Sequence, residues 1–210
     1  AFTAQDRGMA RYLWDQHCEL ILDSSMSKRV RRVMRANGQE ALIMSNGAQY
    51  RVVTPNRKGS RGLTCDLVVI DEALHIDMDV IAAVQPTMAT KNNAQLWILS
   101  NAGDANSTML AHYRNLGHQE RDGDEGRLCW LEWAPAEDKI DALDEAVWRQ
   151  AIPTLAEAGG VTLDAVAEAA QTTEPELFAR EWLNVWPNIG AVAVIDMHLW
   201  EKLERTDVML

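Results

Sequence analysis

The chain's 210 residues, 47% of them apolar and 24% charged, have the composition of an ordinary globular protein and suffice for one large domain or a domain with an appendage. No run approaches the roughly eighteen apolar residues of a membrane span, the start lacks a signal-peptide pattern, and Cys18, Cys65 and Cys129 fit no metal spacing and argue for a reducing compartment. A net charge of −11 argues against a simple basic nucleic-acid binder, yet the charge is uneven: residues 1–64 hold 11 Lys and Arg against 5 Asp and Glu, and the remainder hold 9 against 26.

The first residue is Ala1 rather than Met, which suggests an excised fragment, and Phe2-Thr3-Ala4-Gln5 reads as the end of a strand. Asp6 is placed to cap a helix reaching about residue 22, with Met9, Leu13, Leu20 and Ile21 roughly on one face. Ser27 then opens an expected short helix, Lys28 to Arg35, stopped by Asn37-Gly38. Its five cations could track a phosphate backbone, or form a solvated face with Val30, Val33 and Met34 turned inward. Ala41 to Ser45 and Ala48 to Thr54 flank Asn46-Gly47, a strong hairpin signal. A cationic loop, Pro55 to Gly62, follows; Arg61 and Arg57 within it are placed to reach a phosphate, or are ordinary loop arginines.

The loop leads into Asp66-Leu67-Val68-Val69-Ile70-Asp71-Glu72-Ala73. Four apolar residues, too few for a helix and rich in β-branching, predict a parallel strand buried on both faces. Two carboxylates then stand at its C-terminal edge, where open α/β sheets bind ligands. The pair suits a Mg²⁺-nucleotide site: Asp71 would hold the metal through its water shell, and Glu72 would orient and activate the water that attacks the terminal phosphate. A buried strand running into a solvated acidic turn accounts for these eight residues equally well.

A helix is expected around Asp79 to Val84, with a turn near Pro86, before a second buried strand, Gln95 to Leu99, that ends in Ser100-Asn101-Ala102-Gly103. Two buried strands joined by a helical crossover, each ending in small polar or acidic residues, have the wiring of a nucleotide-binding α/β core, with Ser100 and Asn101 beside Asp71. A helix near Ser107 to Leu116 and a third strand, Leu128 to Trp133, finish the sheet region. The remainder is acidic and helical: Asp144 to Ala151, Leu163 to Ala170, and a third helix opened by a capping box at Thr173 to Glu176 and running to about Asn184. Trp148, Trp182 and Trp186 are read as core packing rather than a base-stacking surface.

Taken in order, Thr3-Ala4-Gln5-Asp6-Arg7, Ser60-Arg61-Gly62-Leu63-Thr64, Asp66 to Ala73, Ile98 to Gly103 and Phe178 to Asn184 resemble the large terminase subunit of tailed bacteriophages, the ATP-driven motor that packages DNA into the procapsid. The resemblance implies a P-loop NTPase-type fold: a mainly parallel sheet flanked by helices, with a C-terminal helical lid. Residues 1–133 would form part of the ATPase core, 134–187 the lid, and 188–210 the start of a linker towards a nuclease domain. It makes Asp71 the Walker B aspartate supporting Mg²⁺, Glu72 the catalytic glutamate, Ser100-Asn101-Ala102 the coupling motif and Arg61 a candidate arginine finger, with Arg57 nearby. ATP is the implied substrate. Implied partners are double-stranded DNA, the portal protein, the small terminase subunit and further copies in a ring, with no membrane, in the host cytoplasm at the procapsid portal.

The chain also departs from that pattern. It contains no G-x-x-x-x-G-K-[ST] loop to cradle phosphates, and Asp196 and Asp207 are isolated acids rather than a nuclease cluster. The 210 residues alone are therefore expected to hydrolyse ATP negligibly. Another P-loop motor such as a helicase, or a non-catalytic interaction module that keeps the fold, are the alternative readings.

Overall fold

The computed structural model describes residues 1–54, 64–121, 128–136 and 140–187. Their organising element is the apolar run before the two acids. Leu67–Ile70 forms a strand, β5, hydrogen-bonded in parallel on both sides: to β1 (Phe2–Thr3) and to β6 (Gln95–Ile98). Between them in the chain lie α1 (Arg7–Asp23), a second sheet of β2 (Val30–Met34), β3 (Ala41–Met44) and β4 (Gln49–Arg51), and then, after β5, α2 (Met78–Met88). The parallel sheet with flanking helices is the α/β class expected from the sequence. After β6 come α3 (Thr108–Arg121), α4 (Glu145–Ala151), α5 (Leu163–Thr172) and α6 (Pro175–Leu183). Among the described residues no helix is long and apolar enough to cross a membrane.

The chain divides into two compact units. One holds the described residues up to Ser100 with 107–113, and the other holds 101–106 with the described residues from 114 onward. The first is built on an apolar cluster of Phe2, Ala4, Ala10, Trp14, Cys18, Leu42 and Val52. Asp6 caps α1 by accepting the Met9 amide at 2.9 Å, which fixes the helix start so that Ala10, Trp14 and Cys18 fall on the buried face. The second sheet is a hairpin-rich antiparallel layer, with Gly47 at φ +87° making the β3–β4 turn that Asn46-Gly47 predicts. It joins the parallel sheet where Val52 bridges Phe2 and the Val53 amide donates to the Phe2 carbonyl.

Several expectations need correction. Lys28 to Arg35 is not a helix: Ser25–Arg29 is a single 3-10 turn capped by Ser24, and Val30–Met34 pairs antiparallel with β3. Helix α2 does not end before Pro86 but runs through it to Met88. The cap of α6 is Glu174, whose carboxylate accepts the Leu177 amide, rather than Thr173. Most consequentially, the two parallel strands are incompletely buried: Val69, which packs on the Phe2 cluster, and Leu96 and Ile98 of β6 are only half-buried. Val68 and Ile70 are enclosed, whereas Leu67, Trp97 and Leu99 are exposed among the described residues, because an apolar strand states what it can bury and not what covers it.

In the second unit α4, α5 and α6 enclose Trp148, Ala151, Ile152, Leu155, Val166, Phe178 and Leu183. Trp182 stacks on Phe178, while Trp186 lies beneath the guanidinium of Arg114 at 5.1 Å. The third expected strand is absent: Leu128 to Trp133 is irregular. Instead of joining a ladder, this stretch turns Trp130 and Glu132 onto α3. Gly117 makes that approach possible, since a Cβ there would stand 2.4 Å from the Trp130 ring. Glu132 receives hydrogen bonds from Arg114 at 2.8 Å, from Trp130 at 3.0 Å and shares one with His118 at 2.6 Å.

Burial works to raise the Glu132 carboxyl, but these hydrogen bonds and the Arg114 charge together hold it below its ordinary value of 4.5. The unfolded chain therefore takes up this proton at higher pH than the folded one. The cluster's stabilisation is complete above that ordinary value, and it falls as pH drops towards and through the lowered folded value. Denaturant unfolding followed by Trp fluorescence should show an acid loss of stability that Glu132→Gln flattens; an unchanged acid limb in the variant would contradict the assignment.

Candidate functional site

Parallel pairing delivers Asp71 and Glu72 to the C-terminal edge of β5, the middle strand of its sheet. The Asp71 amide still donates to Thr3 across the β1 side at 2.9 Å, and Leu99 donates to Ile70 across the β6 side at 2.9 Å. The strand then stops abruptly. Glu72 adopts φ 51°, ψ 47°, a left-handed conformation that an ordinary L-residue occupies at a cost of about 1–2 kcal/mol. Its amide is held by Asp71 Oδ1 at 3.1 Å, and its carbonyl accepts the His75 amide as a short 3-10 turn, Ala73–His75, begins. Both carboxylates are half-buried.

The turn after Glu72 is clasped to the end of β6. Ala73 donates to the Leu99 carbonyl at 3.1 Å, and the Leu74 amide donates to Ser100 Oγ at 2.9 Å. Ser100, the sequence-predicted neighbour of Asp71, is thus brought to the same turn, through the backbone two residues beyond Glu72. Asn101 is exposed and falls in the second unit. Arg61, Arg57 and the rest of the 55–63 loop lie outside the described residues, as do Asp196 and Asp207.

Sequence reasoning missed three contributors. Ser107, buried at the start of α3, donates its hydroxyl to the Leu74 carbonyl at 2.8 Å, so Leu74 is held by a serine at each of its two backbone groups. Its only sequence signal is a serine immediately before a helix. Asn184, left-handed at the end of α6, accepts the Ala102 amide at 3.3 Å and donates to the Trp133 carbonyl at 3.0 Å, fixing the Ala102 loop within the second unit. Tyr50 shares a 2.8 Å hydrogen bond with His17. Burial first, and then the Cys18 and Asp71 charges, push the Tyr50 phenol well up, so it stays neutral close to Asp71.

Among the described residues no group of three or more His, Cys, Asp or Glu could cage an ion. A single half-exposed aspartate at a strand end suits Mg²⁺, which keeps several waters and uses one or two carboxylates together with substrate phosphates.

No family model matches the chain, and no curated protein matches it in sequence. Solved structures do. The large terminase of bacteriophage HK97 matches 88% of this chain and 39% of its own length, with a TM-score of 0.74 at 18% identity. The large terminase of the thermophilic bacteriophage D6E matches 88% of this chain and 40% of its own, with a TM-score of 0.59 at 11% identity. The large terminase ATPase domain of Thermus phage P74-26 matches 87% and 74%, at 0.50 and 16%. The chain therefore spans about two-fifths of the two longer proteins. At such identities the likeness is one of fold, and it agrees with the order of motifs in the sequence: these residues have the fold of the phage large terminase in its ATPase region.

Proposed function

We propose that the chain is part of the ATP-hydrolysing motor of a phage large terminase, which drives double-stranded DNA into a procapsid. The observation that carries this reading is the acidic pair at the end of the middle parallel strand, clasped through Leu74 to Ser100, within a fold shared with large terminases. Asp71 supports Mg²⁺, and bound Mg²⁺ would neutralise charge on the nucleotide phosphates. Glu72 accepts a proton from, and orients, the attacking water. Ser100-Asn101-Ala102 is the coupling motif.

Residues 1–133 serve as part of the ATPase core, 134–187 as the lid and 188–210 as the start of a linker. Arg61 or Arg57 serves as an arginine finger towards a neighbouring subunit's nucleotide. Portal protein, small terminase subunit and further copies in a ring are the partners, in the host cytoplasm.

The test is Mg²⁺-dependent ATP binding by a protein carrying these residues together with a phosphate-binding loop. Asp71→Asn should weaken the apparent Mg²⁺ affinity by about 10–100-fold, the range for removing a carboxylate that acts through the metal's water shell. Unchanged Mg²⁺ dependence in that variant would remove Asp71 from the site and with it the motor reading.

A further inference from the structure

The second sheet presents its outer strand, β2, with a row of cations that nothing in the described residues neutralises. Lys28, Arg29, Arg31 and Arg32 are all exposed, and none of them makes an ion pair or a side-chain hydrogen bond. Their neighbour Arg35 differs: it is held by Asp15 at 3.0 Å and by Glu19 at 2.5 Å on α1, which leaves those acids engaged.

A β-bulge arranges the row. In a regular strand Val30 and Val33 would face opposite sides, and so would Arg31 and Arg32. Here Val30 opposes Met44 while Arg32 opposes Ile43, so Arg31 is an extra residue in the ladder. The insertion lets Val30 and Val33 both pack against the core and leaves both arginines in solvent. Protecting a sheet edge from pairing needs a charge or two. Four like charges in five residues repel one another, and in a chain of net charge −11 they are a local exception.

We propose that Lys28, Arg29, Arg31 and Arg32 form a sequence-independent docking surface for the phosphate backbone of a nucleic-acid duplex. The five residues span roughly 10 Å, about three base-pair steps along one strand, so several phosphates come within reach together. Guanidinium forks match phosphate oxygens two at a time. An acidic protein partner is the poorer fit, since the exposed side chains of residues 28–32 include no apolar or aromatic anchor of the kind protein interfaces centre on. The choice of duplex over single strand rests on the motor reading above; the cationic edge itself does not.

The test uses the whole 210-residue chain and fluorescence anisotropy with a mixed-sequence duplex of about 30 base pairs, titrated between about 50 and 200 mM salt. Four phosphate contacts give a slope of about −3.6 in log K against log salt, or roughly 150-fold weaker binding across that range. K28A, R29A, R31A and R32A combined should abolish most of that slope. R31K with R32K should keep it, and R35A, whose arginine is already paired, should change it little. Circular dichroism melts of all variants guard against misfolding. Wild-type affinity and slope in the quadruple variant would overturn the proposal, as would equal binding of poly-glutamate. Tighter binding of a single strand of equal charge would overturn the duplex assignment and count against the motor reading; Mg²⁺ dependence at Asp71 is measured separately and can fail alone.

Discussion

Replacing Glu72 by glutamine, in a protein that carries these residues with a phosphate-binding loop, should leave Mg²⁺-ATP binding within a few-fold of wild type and lower turnover by about 10²–10⁴, the usual contribution of a positioned general base. Glutamine keeps the size of the side chain and makes no new demand on the left-handed backbone at this position. The change is confined to the carboxylate, which loses its charge and its capacity to take a proton from water. Because Asp71, not Glu72, is assigned to the metal, the nucleotide should still bind, and the contrast with Asp71→Asn separates the two roles. Equilibrium binding and steady-state hydrolysis on the same preparation check it. A turnover within a few-fold of wild type would show that water is activated elsewhere.

The second large effect is on stability. Glu40 has a fully buried side chain whose Oε2 pairs with Arg7, while its Oε1 has no hydrogen-bond partner and only the Arg11 guanidinium at 3.9 Å. Arg7 also donates to Thr54 Oγ1 at 3.1 Å, the residue directly before the Pro55 to Gly62 loop. As the first residue of α1, Arg7 stands where the helix dipole disfavours a cation, so the position is explained by Glu40 and Thr54 and not by the helix. Arg7→Ala leaves a buried carboxylate with a single distant cation. Stranding one partner of a buried pair costs about 3–5 kcal/mol. Arg7 is itself about a third exposed, so water can enter, and the lower end of that range is expected. Denaturant titration of the far-ultraviolet signal should show the loss, and the same substitution in a Glu40→Gln background should cost markedly less. An equal cost in both backgrounds would mean that Arg7 acts through Thr54 or packing instead.

Much of this architecture is legible in the residues because local rules and tertiary demands agree. Asn46-Gly47 makes the hairpin, Asp6 the cap, and two short apolar runs the parallel strands, with Asp71 and Glu72 marked out simply by following one of them. Where those rules conflict the reading fails. Val30 and Val33 are three apart, a helical spacing, and only an inserted residue lets a strand bury both; a bulge has no signature in such a stretch. Leu128 to Trp133 is apolar at every position but one, as a buried strand can be, but the exception, Glu132, finds Arg114 and His118, and the stretch takes no place in a ladder. Ser107 and Asn184 act on partners 33 and 82 residues away, distances over which no pattern of neighbours carries information. The exposure of Leu67, Trp97 and Leu99 has the same origin, since a strand's composition does not specify its cover.

The left-handed backbone at Glu72 sets stability and chemistry against each other. Glycine would occupy that torsion freely, so any search that ranks substitutions by thermal resistance alone would favour it at residue 72. The protein so chosen would be sturdier and, with its carboxylate gone, silent in the proposed reaction. A residue that withstands such a search only when activity is also scored is one whose side chain, and not its backbone, selection has kept.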